Sequence, residues 1–383
     1  MTTALVNGRV LGDAGFLDAK AVLLEGARIA GVVDEADARV RDARRVDLDG
    51  GWLLPGFIDA QVNGGGGVLL NNAPTVDGIA TIARAHRHYG TTGLLPTLIS
   101  DEVDTMRAAI AAVREAIAQG VPGVLGIHLE GPYLAPARKG THDAAVFRVP
   151  DADEVALATS LRNGVTLLTL APERVPLDTI RSFVARGAIV SAGHTAASYE
   201  EARAALDAGV RGFTHLFNAM TPMTGREPGV VGAALDDPNA WCGIIVDGVH
   251  VHPASLRVAL AARPRGKLFL VTDAMPMVGA DSPSFELYGQ TITAVDGVVR
   301  NADGALAGSA LDMATAVRNC VALLGLPLDE AARMASTYPA QFLGIADARG
   351  RIAPGLAADL VLLDATLQVR ATWIGGDMAR YAS

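Results

Sequence analysis

The stretch Gly126-Ile127-His128-Leu129-Glu130-Gly131-Pro132 runs apolar residues straight into a carboxylate, and a Gly-Pro pair then stops it. With Val124 and Leu125 in front, it reads as a strand buried on both faces, the texture of a parallel strand covered by helices. A carboxylate at the buried end of such a strand is costly unless a cation or a metal meets it. Two later segments offer partners in the same relative place: His194 ends Val190-Ser191-Ala192-Gly193-His194, and His215 ends Gly212-Phe213-Thr214-His215. One Glu and two His at the C-terminal ends of strands make a zinc-type ligand set with a position open for water.

Working outward, strand candidates begin at Phe57, Gly93, Val124, Val165, Ala188, Gly212, Trp241 and Lys267, with helical stretches between them such as 103–119, 199–208 and 253–262. This alternation predicts an α/β fold with a parallel sheet, and eight units predict closure into a (β/α)8 TIM-like barrel with its site at the strands' C-terminal ends. Segment 279–308, with Asp296-Gly297 and Asp303-Gly304 turns, reads as an inserted hairpin, and 311–324 and 328–342 as closing helices. The chain's ends differ: short β segments recur before residue 53 and again after 350, punctuated by Asn-Gly, Glu-Gly and Asp-Gly-Gly turn signals. Neither end is long enough for its own core. They are expected to pair as one small β-sandwich domain, 1–53 plus 350–383, beside a metal-dependent catalytic barrel at 54–349.

Composition bounds the function. The 383 residues suffice for one large and one small domain, and they are 50% apolar but only 5% aromatic, an aliphatic α/β mix. A formal charge of −9 argues against nucleic acid or an anionic membrane surface as partner, so an anionic substrate needs local cations. Cys242 and Cys320 form no metal motif or disulfide framework, the N-terminus does not read as a signal peptide, and no apolar run approaches the ~20 residues of a membrane span. A cytoplasmic protein is expected. No Gly-x-Ser-x-Gly elbow, Walker loop or dinucleotide fingerprint in its proper setting is present, which moves serine hydrolases, kinases and dehydrogenases back.

The first strand ends Asp59-Ala60-Gln61-Val62-Asn63 before four glycines. Residues 59, 61 and 63 share one strand face and are expected to point into the barrel mouth, though a polar strand end feeding a glycine turn would look the same. The eighth strand ends Leu270-Val271-Thr272-Asp273. A lone Asp there is commonly a cap or turn residue. Beside three possible metal ligands a general base is the better assignment, because a carboxylate can take a water's proton and hand it to a leaving amine. Among the histidines, His86 and His88 are expected on a solvated helix end, while His128 shares the strand face of Glu130. His142, in the loop after the third strand, could polarise a substrate carbonyl. His250 follows the seventh strand. Arg226, in the loop after the sixth, reaches the same mouth unless it merely pairs with Glu227. Asn218 and Ala219 offer an amide and a backbone N–H to an anionic group.

In this order, Pro-Gly-Phe-Ile-Asp (55–59), His-Leu-Glu-Gly-Pro (128–132), Gly-His-Thr (193–195), Thr-His-Leu-Phe-Asn-Ala-Met (214–220), Gly-Arg-Glu-Pro-Gly (225–229), Asp-Gly-Val-His (247–250) and Val-Thr-Asp-Ala (271–274) resemble the N-acetylglucosamine-6-phosphate deacetylase family of the amidohydrolase superfamily. The resemblance covers nearly the whole chain. It implies hydrolysis of N-acetylglucosamine 6-phosphate to glucosamine 6-phosphate and acetate, with Glu130, His194 and His215 holding one Zn2+ per chain. It further implies Asp273 as base and then acid, and His142 beside the developing oxyanion. Asn218, Ala219, Arg226 and His250 match sugar and phosphate contacts, His250 being supplied across a homodimer interface. Gln61 and Asn63 stand where amidohydrolases commonly have a His-x-His pair, which implies a single tightly held ion with the two amides near substrate. Two rivals remain: another amidohydrolase, such as a D-amino-acid deacylase or a dihydroorotase-like enzyme, and a non-catalytic sugar-phosphate-binding protein.

Overall fold

Eight parallel strands, Phe57–Val62, Thr91–Ile99, Gly126–Glu130, Val165–Leu170, Ile189–Ala192, Gly212–Phe213, Trp241–Ile244 and Leu268–Leu270, neighbour one another in chain order in a computed structural model that describes residues 2–381. Val62 bridges Ala274 in parallel, and Asp273 N donates to Gln61 O at 3.0 Å, so the first and eighth strands meet and the barrel closes. The strands are almost wholly buried, as their unbroken apolar runs require. Pro96 lies inside the second strand, where the missing N–H coincides with a register shift between Leu94 and Pro96.

Helices cover the barrel, and their ends follow local chemistry. Ser198 and Glu201 form a reciprocal capping box at the start of Tyr199–Asp207. Pro253 opens Pro253–Ala262, where its absent N–H costs nothing. Asp312 caps Met313–Leu324, which ends on Gly325 at φ 72°. The single helix expected over 328–342 is two, Leu328–Ala335 and Thr337–Phe342, broken at Ser336. Pro339 is the reason: it cannot donate to residue 335, and the break leaves it in a first turn where no donor is needed. His86 also departs from expectation. It is buried on the face of Val76–Arg87 that carries Ile79, Ile82 and Ala83, with Nε2 2.9 Å from Gly64 O, while His88 is exposed as expected.

The terminal segments build two sheets. Arg28–Asp34, Lys20–Glu25, Thr2–Val6 and Arg44–Asp47 form one; the other runs Asp377–Arg380, Val369–Ile374, Leu360–Leu363, Trp52–Pro55, Arg9–Gly12 and Gly15–Leu17. Leu360–Leu363 pairs antiparallel with Trp52–Pro55, joining the two ends of the chain one residue before the barrel begins. Leu5, Val22, Leu53, Leu360 and Trp373 share a core between the sheets. The inserted hairpin is a three-stranded antiparallel sheet, Ser284–Leu287, Gln290–Val295 and Val298–Val299, turning at Tyr288-Gly289 and Asp296-Gly297, all four at positive φ. Its Phe285 and Ile292 pack with Ile99 and Met275 at the strands' C-terminal ends. Among the described residues no helix is long and apolar enough to cross a membrane.

Candidate active site

Glu130 Oε1 lies 3.0 Å from His215 Nε2 and 3.2 Å from His194 Nε2, and the two imidazole nitrogens are 3.1 Å apart. All three side chains are buried. Burial alone would raise the Glu130 carboxyl, but hydrogen bonds and charge from His194 and His215 outweigh it and hold the group well below the usual range. Burial likewise lowers His215, and Glu130 reverses the direction and raises it. The donor chemistry fits a cation. His194 Nδ1 lies 2.9 Å from Arg138 O, a pure acceptor, so Nδ1 carries a proton, and in the neutral ring Nε2 presents a lone pair. That lone pair, a second imidazole nitrogen and a carboxylate oxygen form a triangle that no single proton satisfies. Its edges match the ~3.3 Å between ligands of a tetrahedral ion with bonds of about 2.0–2.1 Å.

Backbone strain gathers here. His194 (φ 48°), His215 (φ 35°), Ala219 (φ 51°) and Asp273 (φ 53°) all occupy the left-handed region. Such conformations persist where the surroundings over-determine them, typically at functional sites.

Opposite the triangle, Asp273 Oδ1 accepts from Asn63 Nδ2 at 2.7 Å and from Gln61 Nε2 at 3.1 Å, and Gln61 Nε2 also reaches Glu130 Oε1 at 3.1 Å. Burial, then the Glu130 charge, raises the Asp273 carboxyl. Asp59 sits one layer deeper than expected. It does not reach the mouth, because its carboxylate accepts from Thr272 Oγ1 at 2.5 Å and from Gln61 N at 3.2 Å. His142 is buried with Nδ1 3.2 Å from the donating Ser100 N and 2.8 Å from Ser100 Oγ. A backbone N–H can only donate, so Nδ1 is the acceptor and Nε2 carries the hydrogen. Burial and the charge of His194 push His142 down to about 3, so the ring is neutral at ordinary pH. His128 lies beneath the site, between Thr97 Oγ1 at 3.2 Å and Thr169 Oγ1 at 2.8 Å.

Glu130, His194, His215, Asn63, Asp273 and His142 line one cavity of about 330 Å³, which also takes in Asn218, Ala219 and His250, while Gln61 is buried behind this wall on Glu130 and Asp273 and does not line it. Asn218 Nδ2 is turned onto His215 O at 3.0 Å. His250 Nδ1 bonds Asp247 Oδ2 at 2.6 Å, and the ring faces the pocket of its own chain, so no second subunit is needed to bring it there. Arg226 is exposed and does not line this cavity. Nor does it pair with Glu227, whose Oε1 instead accepts from Tyr199 N and Gly229 N. Residues the sequence did not flag add to the wall, among them Ile99, Arg138, Met275 and Leu306. Ser100 was equally silent, although its place directly after the second strand puts it at the mouth, where site residues gather.

The barrel has the parts of a metal-assisted hydrolase: a ligand triangle able to hold one divalent ion and a carboxylate facing it. Residues 52–379 match the amidohydrolase family, and the chain belongs to that family. It is 43% identical over 373 residues to the N-acetylgalactosamine-6-phosphate deacetylase of Shewanella sp. (strain ANA-3), covering 97% of this chain and 94% of that one. It is 40% identical over 359 residues to the N-acetylglucosamine-6-phosphate deacetylase of Homo sapiens, covering 89% and 86% respectively. The crystal structure of N-acetylglucosamine-6-phosphate deacetylase from Pasteurella multocida superposes with a TM-score of 0.96 at 35% identity over 100% of both chains.

Proposed function

We propose that this chain hydrolyses N-acetyl-D-glucosamine 6-phosphate to acetate and D-glucosamine 6-phosphate, serving amino-sugar metabolism in the cytoplasm. The observation that carries the reading is Asp273 facing the Glu130–His194–His215 triangle across one small cavity. A zinc ion held by those three residues, one per chain, would supply Lewis acidity and lower the pKa of water to about 7.

The chain's own groups do the rest. Asp273 has its Oδ1 held by Asn63 and Gln61, which leaves Oδ2 to take the proton of the attacking water. It returns that proton to the amide nitrogen as the new C–O bond forms and the C–N bond breaks. His142 donates its Nε2–H to the carbonyl oxygen as charge builds there. Asn63 bounds the reacting amide and Gln61 supports the site from behind on Glu130 and Asp273, while Asn218, Ala219 and His250 contact sugar and phosphate.

We place the enzyme as a homodimer. Because His250 lines its own chain's cavity, the cross-interface part expected of it passes to Arg226, whose planar guanidinium suits bidentate phosphate bonds. The terminal sandwich, expected at 1–53 plus 350–383, acts as a small domain bracing the barrel expected at 54–349, with its strand Trp52–Pro55 running two residues past the expected bound.

A second reading, the galactosamine epimer as preferred substrate, is favoured by the name of the 43% identical relative. Acetate release from the two phosphorylated epimers, compared as kcat/KM, separates the readings. Release from neither would sink both.

A further inference from the structure

Glu173 stands in the single turn Pro172–Arg174 that follows the fourth barrel strand, outside the catalytic cavity. Its two oxygens are spent on the next loop: Oε2 accepts from Thr195 Oγ1 at 2.6 Å and Oε1 from Ala196 N at 2.5 Å. Among the described residues it makes no ion pair, so its charge serves only these neutral donors. The residues it grips come directly after His194, whose backbone is left-handed at φ 48°. A non-glycine residue keeps that conformation only under constraint. Ala135 N also donates to His194 O at 3.0 Å, and on the preceding side Gly193 N donates to Leu170 O at 3.0 Å, so the His194 backbone is held before and behind.

The grip extends to the second imidazole. Thr195 N donates to Ala219 O at 3.0 Å, and Ala219 (φ 51°) ends the turn that begins at His215 (φ 35°). The Thr195 hydroxyl donates to Glu173 and accepts from Ala197 N at 3.0 Å, so the carboxylate fixes which way that hydroxyl points. Only a two-oxygen, acceptor-only group can take the hydroxyl and the amide N–H together without offering a competing donor.

We propose that Glu173 is a positioning residue for the metal site, holding His194 through the two residues that follow it, Thr195 and Ala196, and His215 through Thr195 and Ala219, in ligating geometry. The proposal rests on the reading that Glu130, His194 and His215 bind the ion. It reaches beyond that reading to a residue in a different barrel loop that touches neither ion nor substrate. Groups that orient metal ligands typically cost 10–100-fold in affinity when removed.

The test is Zn2+ affinity of chelator-stripped full-length protein, read by competition with a chromogenic chelator, for wild type, Glu173→Ala, Glu173→Gln and Thr195→Val. Thermal midpoints of the stripped proteins are recorded alongside. Expected are a roughly 10–100-fold weaker affinity in Glu173→Ala with little change in the stripped midpoint, and a smaller loss in Thr195→Val. Glu173→Gln should recover only part of the affinity, since its oxygen can still accept from Ala196 N while its NH2 group faces the Thr195 hydroxyl with a competing donor. Unchanged affinity in Glu173→Ala would overturn the proposal, as would losses that merely track lowered midpoints. If Glu173→Ala does not fold, Glu173→Gln and Thr195→Val decide: wild-type affinity in both overturns it. Wild type binding no Zn2+ would overturn the ligand assignment itself, and the proposal with it.

Discussion

Asn63 Nδ2 donates to Asp273 Oδ1 at 2.7 Å, tying the end of the first barrel strand to the end of the eighth. Gln61 Nε2 adds a second bond to the same oxygen at 3.1 Å. An imidazole pair at 61 and 63 would present lone pairs to an ion; these amides present N–H groups to a carboxylate.

That relationship separates two variants. Asp273→Asn removes the proton carrier but keeps its shape, so kcat should fall by about 10²–10⁴-fold with metal content unchanged. Asn63→Leu only loosens the carboxylate and should cost less, again with metal retained. Acetate-release kinetics with metal analysis of the same samples checks both, and near-normal turnover in Asp273→Asn would remove it from the proton path.

Metal stoichiometry follows from the same amides. With the Gln61 and Asn63 N–H groups facing Glu130 and Asp273, one divalent ion per chain should survive dialysis against metal-free buffer. Elemental analysis measures it. Two retained equivalents, or none in active protein, would contradict the three-ligand site.

Phosphate recognition is assigned to Arg226 and His250. Arg226→Ala should lower kcat/KM on the phosphorylated sugar by about 10–100-fold, the worth of a charge-assisted contact, and barely affect the unphosphorylated one. Equal losses on both would make Arg226 structural. If Arg226 acts across a dimer, mixing Arg226→Ala chains with His250→Ala chains should restore activity, because one site of each mixed dimer has both groups intact. No recovery despite subunit exchange would put both groups in one chain's site.

Asp59 supplies a pH signature of stability. Burial pushes its carboxyl up to about 7, outweighing the Thr272 hydroxyl bond. Unfolded, the group titrates near 3.9, so over about pH 4–7 the folded chain holds a proton that the unfolded chain has released, and stability falls as pH rises. Asp59→Asn cannot ionise. Its urea midpoint should gain on the wild type between about pH 5 and 7 and level off above ~8. A gap constant with pH would show that Asp59 is ionised in the fold.

The barrel strands were legible because parallel strands under helices are apolar on both faces, and Glu130, His194, His215 and Asp273 broke that rule at strand ends. Depth was not legible: alternation puts Asp59 on the face of Gln61 without saying that it lies a layer below, on Thr272. His86 was misjudged by weighing its charged neighbours over its helical spacing from Ile79, Ile82 and Ala83. Glu173 carried no signal, since its partners Thr195 and Ala196 lie beyond the next helix and strand and meet it only in three dimensions. Arg226 shows the opposite failure: the loop was placed correctly, yet the side chain stands outside its own chain's cavity.

Acetate released from N-acetyl-D-glucosamine 6-phosphate should be followed with purified protein before and after stripping with a chelator, then on adding back Zn2+. Release by the untreated protein, its loss on stripping and its return at about one equivalent per chain are the expected results. Undiminished release from fully stripped protein, or none at any metal loading, would contradict a hydrolase built on Glu130, His194 and His215.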